Sequence, residues 1–223
     1  MKSHSEIQNR HKAHIRYKLK DGTIVPGVTT ITGTGLGWNT QALIRWANRM
    51  GLEGVDTAKY VDDKAIIGTL GHAMVTDSLQ GKKTNTDDYS KNQIEDAENS
   101  ALSFFEWAKD KKLEPLLIEE PLVSEIYKFG GTPDIYAKVN GNYELIDLKT
   151  GSGIYDEMMI QITAYKHLLV ENGYPVDRER ILNIPRTKDE AFLEKLISTR
   201  QQTIGWKIFL NCLENYQLKK GLK

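Results

Sequence analysis

Two short runs rich in β-branched and aromatic residues, GTPDIYAKV from Gly131 and YELIDLKTG from Tyr143, are separated only by Asn140-Gly141-Asn142. Asparagine and glycine tolerate the positive φ that a tight hairpin turn demands, so the runs are predicted to pair as adjacent antiparallel strands. Side chains alternate across a strand, which puts Asp147 and Lys149 on one face and Ile146 and Leu148 on the other. Asp134 interrupts an otherwise apolar run just after the Gly-Thr-Pro entry, a poor place for a solvated carboxylate. Paired through the turn, the two carboxylates and the ammonium converge. Carboxylates held that close repel unless a divalent cation lies between them or one is protonated. Oxygen ligands suit a hard ion such as Mg2+ or Mn2+. The Lys149 ammonium is then placed to orient or help deprotonate a water, or to neutralise charge building on a phosphoryl oxygen. A structural salt bridge is the other reading of the same three residues.

The surrounding pattern indicates what carries this pair. LLIEEPLVSEIY precedes it, so a three-stranded antiparallel meander is predicted, with turns at Gly130-Gly131 and Asn140-Gly141-Asn142. Helices are predicted through QALIRWANRM after Asn39 or Thr40 with Gly51 as its stop, over about 62–79 and 90–111, and over 155–172 up to Gly173 and Pro175. ERILNIPR reads as one more short strand and residues 190–218 as one or two helices. Near the start, IRYKL, the Asp21-Gly22 turn and TIV suggest a hairpin closed by Pro26-Gly27. The GTGLG stretch from Gly33 lacks the Lys-Ser or Lys-Thr of a phosphate loop and reads as a flexible connector. Residues 1–14 are polar, aperiodic and contain three of the five histidines, so they read as an arm, with 15–223 as a single domain. The expected class is α/β, a mixed central sheet with the meander at its centre and helices on its faces.

Composition narrows the chemistry. Cys212 is the only cysteine, so neither an intramolecular disulfide nor a thiolate cage for zinc can form. With no apolar leader and no long apolar run, a soluble cytoplasmic protein is expected, with no membrane partner. The formal charge is zero overall but unevenly spread: +6 over residues 1–50, −11 over 51–177 and +5 over 178–223. An acidic middle suits a cation site and basic flanks suit a phosphate backbone, although solvated faces explain the same pattern.

Pro133-Asp134 followed, after a short hairpin, by Asp147-Leu148-Lys149 resembles the signature of the PD-(D/E)XK nuclease superfamily. Three further motifs resemble its RecB-like branch: Asp147-Leu148-Lys149-Thr150-Gly151, the Q-x-x-x-Y pair Gln161 and Tyr165, and the upstream G-x-x-x-H ending at His72. The likeness runs from about residue 25 to residue 170, and the GVTTI and ALIRWANRMG stretches look like those of phage-encoded exonucleases. The resemblance implies a restriction-endonuclease-like fold, with Asp134 and Asp147 as metal ligands, His72 as an additional ligand and Lys149 as the catalytic lysine. It makes Gln161 and Tyr165 residues that hold DNA or orient the site, and Glu119 a further acidic residue, with Glu120 as the other register. No C-x-x-C occurs, so this chain lacks ligands for the iron–sulfur cluster of some RecB-like nucleases.

The function implied is Mg2+- or Mn2+-dependent hydrolysis of DNA phosphodiesters, as an exonuclease in phage DNA recombination, repair or processing. The absence of helicase motifs implies a helicase or annealing protein met in trans. A catalytically silent nuclease-fold DNA-binding subunit is the alternative, and a non-nucleic-acid metal hydrolase lacks the H-E-x-x-H that would support it.

Overall fold

A computed structural model describes residues 15–222; the predicted arm over 1–14 lies outside the described residues. In chain order the elements are α1 (Val28–Gly35), α2 (Thr40–Leu52), α3 (Thr57–Leu79), α4 (Lys91–Ala108), β1 (Leu113–Ile118), β2 (Leu122–Ser124), β3 (Phe129–Gly131), β4 (Ile135–Val139), β5 (Asn142–Lys149), α5 (Asp156–Glu171), β6 (Arg178–Asn183), β7 (Leu193–Leu196) and α6 (Thr199–Gly221). Five strands form one mixed sheet in the order β1-β4-β5-β6-β7, with β5 and β6 parallel and the other neighbours antiparallel. This is the α/β class expected, with a mixed sheet between helical layers. Among the described residues no helix is long and apolar enough to cross a membrane.

The β4–β5 hairpin forms as its turn predicts. Asn140 and Gly141 take φ of 50° and 86°, the two positive values of a two-residue turn whose twist matches that of the strands. Alternation then divides the core. Ile135, Ala137, Ile146, Leu148 and Leu182 pack under α3 and α4 with Val75, Phe104 and Trp107. Tyr136, Leu145 and Ile181 pack on the other side with α1, α5 and α6 through Ile31, Tyr165, Leu168 and Phe209. At the end of β5 away from Lys149, buried Glu144 binds Arg180 through two hydrogen bonds of 2.7 and 3.0 Å, and Arg180 also pairs with Glu194. A buried carboxylate is tolerated there because a guanidinium satisfies both its oxygens.

Five local expectations differ from what forms, the first being the turn expected at Gly130-Gly131, which are paired residues of β3, the turn lying at 125–128 instead. The LLIEEPLVSEIY run splits, because Glu119, at a φ of 50°, ends β1, and Pro121 separates it from β2, which pairs with β3 in a small sheet of its own. The meander is therefore β1, β4 and β5, with the β2–β3 hairpin inserted between its first two strands. GTGLG is not a connector throughout: its first three residues, Gly33, Thr34 and Gly35, end helix α1, which buried Val28 and Ile31 anchor and whose Gly35 lies against Cys212 of α6. Residues 193–196 are the edge strand β7 and not helix, since Arg180 to Asn183 present them with an open strand edge. The hairpin near residue 20 keeps its Asp21-Gly22 turn but pairs only through a single bridge between Lys18 and Ile24.

Candidate active site

The last ladder pair of the β4–β5 hairpin is Ile135 with Ile146, so one further step along the same register sets Asp134 opposite Asp147. Asp134 lies just before β4 and is buried; its Oδ2 accepts a hydrogen bond of 2.9 Å from the Leu148 backbone N–H. Asp147 is buried within β5, and Lys149 at the strand's end places its Nζ 2.6 Å from Asp147 Oδ2. The convergence predicted from alternation is therefore present, with the ammonium on Asp147.

Helix α3 brings the third contributor. Gly68 faces Thr150, and a Cβ on that glycine would lie 2.4 Å from the threonine hydroxyl oxygen. The missing side chain lets the helix approach the segment directly after Lys149. One turn later, His72 Nδ1 stands 3.9 Å from Asp134 Oδ2. One turn further on, Thr76 donates to the His72 carbonyl at 3.0 Å and reaches Glu119 Oε2 at 3.5 Å. Glu119 lies not on the preceding strand but in the bend that follows β1, where its backbone N–H donates to the Asp134 carbonyl at 3.0 Å. Glu120 is exposed and makes neither of these contacts. Thr76 escaped the sequence reading, although its i+4 spacing from His72 put it on the same helix face.

The Q-x-x-x-Y pair closes the other side. Gln161 Nε2 donates to the Tyr165 hydroxyl at 2.9 Å on α5. Gln161 is half-buried and Tyr165 buried. Burial, and secondarily the Asp147 carboxylate, push its phenol well above the usual range, so it stays protonated. Its ring sits on the Gly-Thr-Pro entry: a Cβ on Gly131 would lie 2.6 Å from the ring. Gly131→Ala is accordingly expected to cost roughly 1–3 kcal/mol of overpacking and lower the melting temperature by roughly 2–12 °C. An unchanged melting curve would show that the ring is not held tightly there.

The donor set suits a hard divalent ion in kind: two carboxylates, a third from Glu119 nearby, and an imidazole. Adjacent oxygens around an octahedral Mg2+ stand roughly 3 Å apart, so the 3.9 Å between His72 Nδ1 and Asp134 Oδ2 would have to shorten for both to hold one ion side by side. Among the described residues, however, no three His, Cys, Asp or Glu side chains already stand as a closed cage. Asp147 is held through Oδ2 by Lys149, so an ion bound at that oxygen would displace the ammonium.

No protein-family model and no curated protein matches the chain. Among solved structures it is similar to a protein described as a candidate exonuclease from Eubacterium rectale, at 12% identity and a TM-score of 0.49, over 70% of this chain and 68% of that one. It is also similar to a phage-related exonuclease from Haemophilus somnus, at 16% identity and a TM-score of 0.41, over 93% of this chain and 98% of that one. At these values the likeness is one of fold and weak, and function has to be read from the site.

Proposed function

We propose that this chain is a metal-dependent deoxyribonuclease of the PD-(D/E)XK type that hydrolyses DNA phosphodiesters as an exonuclease. The observation that supports it most is that Asp134, Asp147, Lys149 and His72, drawn from two strands and a distant helix, meet at one end of the β4–β5 pair. A lone structural salt bridge between Asp147 and Lys149 would need neither the buried Asp134 nor the histidine. Asp134 and Asp147 would hold Mg2+ or Mn2+, with His72 as a further ligand and Glu119 behind it. The ion supplies a Lewis acid and lowers the pKa of a bound water. The Lys149 ammonium meets the charge that develops on the phosphoryl oxygens. Gln161 and Tyr165 keep the wall of the site in place.

DNA as partner is supported by charge. No Asp or Glu falls between residues 22 and 52, and Arg45 and Arg49 are exposed on α2. That helix begins beside the site's own helix, since Asn39 Nδ2 donates to Glu157 Oε1 at 2.6 Å. Exposed guanidinium groups there suit a phosphate backbone. A role in phage DNA recombination, repair or processing, with a helicase or annealing protein in trans, extends this reading from the sequence resemblance.

The test is cleavage of closed-circular plasmid and end-labelled linear DNA in Mg2+, Mn2+, Ca2+ and EDTA. Degradation of the linear DNA alone, in Mg2+ or Mn2+, is expected, with binding but no cleavage in Ca2+, whose larger radius positions water poorly. Nicking of the plasmid would make the chain an endonuclease. Binding without cleavage in every cation would favour the catalytically silent subunit.

A further inference from the structure

Asn183 was absorbed by no motif, yet it sits beside the lysine. It is the last residue of β6, paired in parallel register with Lys149, and it is fully buried. Its Nδ2 donates to the Gly151 carbonyl at 3.0 Å and to the Ala191 carbonyl at 3.3 Å. Spending both amide hydrogens on carbonyls fixes which end of the group is oxygen. That oxygen, Oδ1, is buried, accepts a hydrogen bond from no described residue, and lies 3.9 Å from where a Cβ on Gly151 would stand. A buried acceptor without a donor costs stability, so a fold that keeps one calls for an explanation.

The neighbouring ion pair offers one. Lys149 Nζ lies 2.6 Å from Asp147 Oδ2, one of the two oxygens that an ion at this carboxylate would share. Two cations cannot share that oxygen without strong repulsion, and a displaced ammonium still has three hydrogens to place. A neutral amide oxygen can receive it without competing for the ion. We propose that Asn183 is a positioning residue for Lys149: its amide nitrogen pins the chain directly after the lysine, and its oxygen receives the ammonium when a divalent ion occupies Asp147. The inference rests on the nuclease reading for the presence of that ion.

Two measurements test it. In single-turnover cleavage, Asn183→Leu is expected to lower the rate roughly 10- to 100-fold, the scale of a hydrogen bond to a charged group, with KM for DNA and Mn2+ affinity within about twofold of the parent. On a Lys149→Ala background the same change should cost nothing more, because residues acting as a unit are not additive. Asn183→Asp keeps an acceptor for the ammonium but gives up the donor to the Gly151 and Ala191 carbonyls, so it should recover only part of the lost rate, and it serves alone, compared with and without Lys149→Ala, if the leucine variant does not fold. The second readout is the Lys149 ammonium resonance in 15N-lysine-labelled protein, assigned by its loss in Lys149→Ala. It should remain visible on adding Mg2+ to the parent and broaden away in Asn183→Leu. Additive losses, or a resonance in Mg2+ indifferent to residue 183, would overturn the proposal. Retention of that resonance by a parent chain that cleaves no DNA would keep the proposal and sink the nuclease reading; cleavage with an indifferent resonance would do the reverse.

Discussion

Asp134→Asn and Asp147→Asn are each expected to lower DNA cleavage by roughly a thousandfold or more, since losing a metal ligand forfeits several kcal/mol of transition-state stabilisation. The fold should survive both changes. From sequence alone, removing a charge would relieve repulsion and raise stability. The structure changes that expectation, because each carboxylate already has a compensating neighbour: the Leu148 N–H at Asp134 and the Lys149 ammonium at Asp147. An asparagine oxygen can still accept from either donor, so melting temperatures should stay within about 4 °C, the equivalent of about 1 kcal/mol. Thermal unfolding of the metal-free variants, run beside the cleavage assay, checks both halves. A large loss of stability would assign the carboxylates to a structural ion pair instead.

Lys149→Ala should lower the single-turnover rate by roughly two or more orders of magnitude, the scale for losing one group that stabilises developing charge. Metal affinity should move the other way. The ammonium lies on Oδ2 of Asp147, so its removal takes a positive charge from beside the ion. Mn2+ titration calorimetry should therefore show equal or tighter binding. His72→Ala is the complement: weaker Mn2+ binding, with activity partly recovered at high metal concentration. If the lysine variant lost metal binding and the histidine variant lost neither property, the roles given to these two residues would be wrong.

What could be read from the sequence was local. Asn140-Gly141 announced its own turn, and alternation along ELIDLKTG put Asp147 beside Lys149 without knowledge of any other element. The register that sets Asp134 opposite Asp147 was not legible: the sequence offered Asn140-Gly141-Asn142 as the turn, and only the structure narrows it to Asn140-Gly141, with Asn142 paired to Val139. Misreadings occurred where tertiary contacts outweighed local preference. Threonines 29, 30, 32 and 34 disfavour helix, yet α1 forms because Ile31 is buried in the core and Gly35 lets α6 come close. Residues 193–196 are too short for their apolar spacing to tell strand from helix, and only the exposed edge of β6 decides. At the site, the Glu119-Glu120 doublet was ambiguous because the choice depends on a positive φ that no pattern signals. Asn183 did leave a trace, a lone polar residue in the run ILNIP, but its pairing with Lys149 exists only once β5 and β6 lie parallel.

The central claim is that the constellation at the end of the β4–β5 pair is a metal-dependent hydrolytic centre. The measurement that tests it most directly is single-turnover cleavage of end-labelled linear DNA by chain stripped with EDTA and then resupplied with Mg2+, the parent beside Asp147→Asn. The account predicts no cleavage in EDTA, restored cleavage by the parent once Mg2+ is returned, and none by the variant. Cleavage that proceeds undiminished in EDTA, or that Asp147→Asn leaves intact, would contradict it.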